Sequence, residues 1–275
     1  MSPRVKVGKS GVTPCKHDLF NKLLGREVGS LIKNPLRIQS YHIVDLTAGD
    51  GVPYGDDFTN GCSPGIILKH ARYIAEKTQV SAIVTCLERQ PETCATLRRN
   101  FRREYDQMIG VSPRIRADVF CSDAKAFRFP DTADAAFIYN DPNHIEDWCL
   151  SAGCLESAPR LTTSLSTLGC NVGGLKRIDL EKRQLWFERI DIVVNGILQP
   201  WHDACLFSVG GADQWAYLIT APKTWRERIT SDCLTAASKV QGKIADPRVA
   251  WFKDDPSAFS DLQRFLFYTK SENAQ

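Results

Sequence analysis

Four apolar stretches of this 275-residue sequence end on, or just before, a carboxylate. His42-Ile43-Val44 runs into Asp45, Ser81 to Leu87 into Glu88, Ile115 to Cys121 into Ser122-Asp123, and Asp134 to Tyr139 into Asn140-Asp141-Pro142. Apolar runs of this length read as buried parallel strands, and ligands of open α/β sheets bind beyond the carboxyl ends of such strands. After Asp45 comes Leu46-Thr47-Ala48-Gly49-Asp50-Gly51. Glycine has no Cβ and tolerates positive φ, so this backbone can come close to a ligand. The run is not the dinucleotide fingerprint, because Tyr54 stands where a third glycine would be required. Glu88 is placed to accept both hydroxyl hydrogens of a ribose, the role of an acid after the second strand of nucleotide-binding α/β folds, or is a solvated surface glutamate.

The elements that position these groups alternate between strand and helix. Helical spacing runs from Lys16 to about Lys33, through Leu19, Phe20, Leu23, Leu24, Val28, Leu31 and Ile32. A polar loop over 52–62, with Asp56, Asp57 and Asn60, precedes a helix start at Ser63-Pro64. There serine would cap the free amides and proline would occupy the first turn. Gln90-Pro91-Glu92 opens a helix reaching Tyr105, and Asp123 doubles as a cap for the turn after the third strand. A helix over 145–158 and a strand over 161–168 follow. The loop Gly169 to Arg177 then offers Asn171, Lys176 and Arg177 to a phosphate-bearing ligand, or is a plain turn before an amphipathic helix over 181–190. Ala204–Val209 and Gln214–Thr220, joined by a glycine-containing turn, read as an antiparallel hairpin. From Trp225 onward the spacing is helical, with Trp251 and Phe252 among its aromatics.

The pattern Asp45-x-x-x-Gly49-x-Gly51 resembles motif I of the class I methyltransferases, which bind S-adenosylmethionine. Asp123 resembles their third motif, whose acid bonds the adenine amine. Asn140-Asp141-Pro142 resembles the Asp/Asn-Pro-Pro-aromatic corner of the amino-methyltransferases. That corner holds the target amine through a side-chain oxygen and a carbonyl, and an aromatic stacks on a flipped base. Here the second proline is absent and Asn143 replaces the aromatic, so stacking would fall to Tyr139, His144 or Trp148. Together with Gly61-Cys62-Ser63-Pro64, the segment 42–144 also resembles the three-Cys-motif partner proteins, a bacterial and phage group of methyltransferase-like proteins.

The resemblance implies an α/β, Rossmann-like fold with a mostly parallel seven-stranded sheet, a closing antiparallel hairpin and helices on both faces. It implies S-adenosylmethionine as cofactor, held by Asp45, Thr47, Ala48, Gly49, Gly51, Glu88, Arg89, Asp123 and Ala124. Asn140, Asp141 and Pro142 would carry transfer to an amine, and Tyr139, Asn143, His144, Asn171, Lys176 and Arg177 would meet the acceptor. The expected acceptor is DNA or RNA. A cofactor-binding regulatory or partner protein without transfer and a small-molecule methyltransferase are the alternatives.

Composition is compatible with this reading. With 43% hydrophobic and 24% charged residues the chain is expected to form one domain over 16–275 after a basic arm over 1–15. The net charge of +3 permits a nucleic-acid partner without requiring one. No membrane-length apolar run and no secretion signal occur, so a cytoplasmic location is expected. The ten cysteines lack a Cys-x-x-Cys pair, and the reading is buried free thiols with no metal site.

Overall fold

The computed structural model describes residues 13–33, 38–109, 112–142, 152–171, 198–209, 215–240 and 247–252. In chain order the elements are α1 (Thr13–Lys33), β1 (Ser40–Asp45), a one-turn α2 (Phe58–Gly61), α3 (Ser63–Lys77), β2 (Ser81–Glu88), α4 (Pro91–Ile109) and β3 (Ile115–Cys121). Then come β4 (Ala135–Asn140), β5 (Leu161–Asn171), β6 (His202–Val209), β7 (Trp215–Pro222), α5 (Arg226–Ala237) and β8 (Arg248–Trp251). They build one eight-stranded sheet in the order β3-β2-β1-β4-β5-β7-β6-β8. The first five strands in that order are mutually parallel. β7 runs antiparallel to both β5 and β6, and β8 antiparallel to β6. This is an α/β, Rossmann-like arrangement, mostly parallel and closed by antiparallel strands, with one strand more than expected.

The main core lies on one face of the sheet. Leu19, Phe20, Leu23 and Leu24 of α1 meet Ile43, Phe137, Tyr139, Phe207 and Tyr217 of the strands, with Ile66 and Ile67 of α3, Leu97 of α4 and Ile229 of α5. Strand side chains alternate between faces. A smaller cluster therefore forms on the other face from Val44, Leu46, Leu87, Ala136 and Ile138, closed by Phe129 and by Cys154 of a short 3-10 helix, Ala152–Ser157. All six residues of β4 and all eight of β6 are buried, as expected of strands paired on both edges.

Several expectations are corrected. The sheet has eight strands rather than seven. The segment around Trp251 is β8 rather than helix because β6 would otherwise present a bare edge, and Trp251 Nε1 donates to Thr230 Oγ1 at 3.1 Å. β5 continues to Asn171 with a register shift after Thr167, so Gly169 and Cys170 are strand and not loop. Ser63 is not the cap of α3: Cys62 holds that position with no side-chain bond, and Ser63 is buried inside the first turn. The polar loop contains α2, capped by Asp57, whose Oδ1 accepts the Thr59 amide at 2.9 Å. The arm over 1–15 is too long, since helix begins at Thr13 and Cys15 is fully buried. Cys121 is exposed, whereas Cys15, Cys62, Cys86, Cys94, Cys154, Cys205 and Cys233 are buried free thiols. The expected helix over 181–190 lies outside the described residues, as does most of the one over 145–158. Among the described residues no helix is long and apolar enough to cross a membrane.

Candidate functional site

Register brings the carboxylates together. Asp45 is the partner of both Cys86 and Tyr139, and Glu88 is the partner of Cys121. Because side chains repeat every two residues along a strand, Asp141, two beyond Tyr139, emerges on the same face as Asp45. The loop after β1 is fastened to both neighbours: Leu46 N–H donates to Tyr139 O and Ala48 N–H to Leu87 O, each at 2.9 Å. Thr47 joins the two acids. Its amide donates to Asp45 Oδ1 at 3.0 Å, and its Oγ1 accepts the Asp141 amide at 2.6 Å.

Beyond Thr47 the backbone turns through Gly49 (φ 63°) and Gly51 (φ 64°). A Cβ at Gly51 would stand 2.8 Å from Leu97 Cδ1, so that glycine lets the turn pack on α4. A Cβ at Gly49 would meet nothing within 4 Å, so that glycine borders open space beside the carboxylates. Asn100 of α4 secures the turn by donating from Nδ2 to Asp50 O at 3.0 Å.

Asp45 is fully buried. Burial pushes its carboxyl up to about 7; the Ser63 hydroxyl and Thr47 amide hold it down, and the charges of Asp141 and Glu88 raise it further. Glu88 is half-buried, and its Oε1 accepts the Gln90 amide at 2.8 Å. Asp123 is also half-buried: its Oδ1 accepts the Lys125 amide at 3.0 Å, which is the capping role, and its Oδ2 lies 4.0 Å from Lys125 Nζ. Ser122 N–H donates to Glu88 O at 3.1 Å, so the ends of β2 and β3 are fixed side by side. Ala124 packs toward the second core, and Arg89 is exposed.

At the end of β4, Asn140 and Pro142 are buried and Asp141 is anchored from three sides. Lys16 Nζ lies 2.5 Å from its Oδ2, Thr167 Oγ1 donates to its Oδ1 at 2.5 Å, and Tyr139 Oη stands 3.5 Å from Oδ2. Thr167 arrives by register, since Asn140 is paired with Ser166 and Asp141 and Thr167 are the residues that directly follow each. Lys16 is only 4% exposed, so this ion pair is largely removed from water. Next to it, burial and the Lys16 charge lower the His17 imidazole to about 4, against the pull of Asp141, which leaves it neutral at pH 7.

Lys16 and Thr167 were missed as site residues. Lys16 did carry a signal, a charged residue on the apolar stripe it shares with Leu19, Phe20 and Leu23. Thr167 carried none. Tyr139 is corrected as an acceptor contact: its ring is 2% exposed and stacks on Phe20 at 4.3 Å, so the space a base would fill is occupied by the core. Asn171 ends β5. Asn143, His144, Trp148, Lys176 and Arg177 lie outside the described residues.

No family model and no curated protein matches the chain. Solved structures do. An O-methyltransferase from Bacillus cereus in complex with SAH matches with a TM-score of 0.41 at 13% identity, over 76% of this chain and 81% of its own. An rRNA methylase from Streptococcus thermophilus matches with a TM-score of 0.38 at 12% identity, over 75% and 93%. The cofactor-bound Rv0187 from MTB matches with a TM-score of 0.40 at 16% identity, over 80% and 93%. Likenesses of this size assign the chain nothing beyond the fold its own strand order displays.

Proposed function

We propose that the protein is an S-adenosylmethionine-dependent methyltransferase acting on an amino group of a nucleic acid. One observation carries the proposal: Asp45, Glu88, Asp123 and Asp141 stand at the ends of four adjacent parallel strands around the glycine turn. The cofactor fits the residues present. Open space borders Gly49, and a buried carboxyl that ionises near neutrality answers a cationic ligand. Asp45 and the Thr47–Gly51 backbone would hold the amino-acid end, Glu88 the ribose hydroxyls, and Asp123 with Ala124 the adenine.

When bound, the cofactor supplies an electrophilic methyl group. The chain's part is to bind and orient. The Asp141 carboxylate has about four lone-pair sites, and its three neighbours leave room for one more N–H. It would accept a hydrogen from the acceptor amine and fix its orientation, while buried Pro142 keeps the corner rigid.

A second reading, cofactor binding without transfer, is favoured by the Lys16 ammonium, which occupies a flank of Asp141 that an amine would use. Calorimetric titration with S-adenosylmethionine and its demethylated product, followed by labelled-methyl transfer to DNA, RNA and small amines, separates the readings. Binding with transfer to an oligonucleotide is expected. Binding without transfer replaces the enzyme by a binding protein, and the absence of binding removes both.

A further inference from the structure

We infer that the groove between α1 and α5 seats the phosphodiester backbone of a nucleic acid. The inference rests on the nucleic-acid reading above and places a surface that reading does not use. Lys22, Arg26 and Lys33 lie along α1 on one stripe, at i, i+4 and i+11, beside its buried face. Arg228 and Asp232, one turn apart on α5, line the other wall, with Trp225 just before them. Between the walls is a cavity of about 420 Å³. Gly25 and Gly29 form part of its lining; a Cβ at Gly29 would meet nothing within 4 Å, so the groove is open there, while a Cβ at Gly25 would stand 3.3 Å from His70 of α3 and Arg26 bridges the two walls by pairing with Asp232.

Its charge is unbalanced. Lys22 is paired with Asp18 at 2.9 Å, and Arg26 with Asp232. Lys33 and Arg228 have no acid partner among the described residues, which leaves two positive charges facing the cavity. Lys22 to Lys33 spans roughly 17 Å of helix, the length over which one strand of a duplex carries about five phosphates. An extended polyanion matches that length better than a single phosphate does. Lys16, which holds Asp141, lies about 9 Å along the axis of the same helix from Lys22, on its buried face.

The test is fluorescence anisotropy of labelled single-stranded RNA and DNA oligonucleotides, with a glutamate homopolymer as competitor. The full chain is compared with the double charge reversal Lys33→Glu, Arg228→Glu. Calorimetric cofactor binding is followed in parallel to show that the variant is folded. The expected result is at least tenfold weaker oligonucleotide binding in the variant. Its salt dependence should be shallower by roughly two in the logarithmic slope, with cofactor affinity unchanged. Unchanged oligonucleotide affinity and slope overturn the groove while leaving the nucleic-acid reading intact. No oligonucleotide binding by the unmodified chain overturns both. Displacement by the glutamate polymer at charge-equivalent concentrations gives the groove to an acidic protein and overturns the nucleic acid as its occupant.

Discussion

Lys16 Nζ and Asp141 Oδ2 meet at 2.5 Å across 125 residues of sequence. The pair is one rung of a ladder. One helical turn along α1, Phe20 stacks on Tyr139, two residues back along β4. A turn of helix rises about 5.4 Å and two strand residues about 6.6 Å, so α1 and β4 run past each other nearly in step. The aromatic rung is buried in the core, and the charged rung closes the floor of the site.

Removing one partner of a buried ion pair leaves the other uncompensated, which typically costs 3 to 5 kcal/mol. Lys16→Met should therefore destabilise the protein by about 3 kcal/mol in denaturant unfolding, less than the upper figure because Asp141 is 18% exposed. The double variant Lys16→Met, Asp141→Asn should recover part of that loss. Full additivity of the two single variants would show that the pair is not coupled.

Asp141→Asn alone keeps the shape of the corner and a side-chain oxygen but leaves the Lys16 ammonium without its counter-charge, so its activity is compared at a temperature where the variant is folded. Cofactor affinity by calorimetry should stay within about twofold, while methyl transfer falls at least about tenfold, the effect of roughly 1.4 kcal/mol at the transition state. Transfer at the original rate would remove Asp141 from acceptor positioning.

Cofactor affinity should rise with pH. Asp45, raised to about 7, is largely protonated at pH 6 and largely ionised at pH 8. A cationic ligand binds the ionised form, so association should strengthen over that interval and release a proton. Calorimetry in two buffers of different ionisation enthalpy reads that release. In Asp45→Asn both the release and the pH dependence should disappear; their persistence would assign them to another group.

Stability of the free protein carries opposed contributions. Burial raises Asp45 and Glu27 to about 7, so the folded state holds more protons than the unfolded one above pH 4, and these groups lower stability as pH rises to 7. Burial lowers His17 and His70 to about 4, so here the unfolded state holds more protons, and these groups raise stability between pH 4 and 6.5. The unmodified chain should show a shallow profile across this range. Glu27→Gln removes one falling contribution and should give stability that rises from pH 4 to 6.5; an unchanged profile would show that Glu27 titrates normally.

The two glycines of the turn should separate packing from binding. Gly51→Ala adds a contact at 2.8 Å to Leu97 on top of a left-handed backbone and should cost about 2 kcal/mol or more of stability. Gly49→Ala has only the backbone strain, about 1 kcal/mol, yet places a methyl in the open space and should weaken cofactor binding more than it weakens the fold. Equal losses of affinity and stability at both positions would contradict the placement of the ligand beside Gly49.

The strands at the centre of the sheet were legible because each is a continuous apolar run bounded by polar residues, a purely local signal. The same holds for the acids at their ends and for the turn after Asp45. β8 was not legible, since four residues, Arg248–Trp251, carry too little pattern to separate strand from helix. What decides their conformation is the open edge of β6, whose paired residues lie 40 to 46 positions earlier in the chain. Nor could spacing show that Tyr139 belongs to the core or that Ser63 is buried beside Asp45. Which acids end the parallel strands, and in what order, could be read from the chain alone, because these follow from local periodicity and chain order. That Lys16 and Thr167 close on Asp141, and that burial lifts Asp45 toward neutrality, emerges only in the folded chain. Those properties depend on the register between separate elements and on exclusion of water, and neither is encoded in any one stretch of chain.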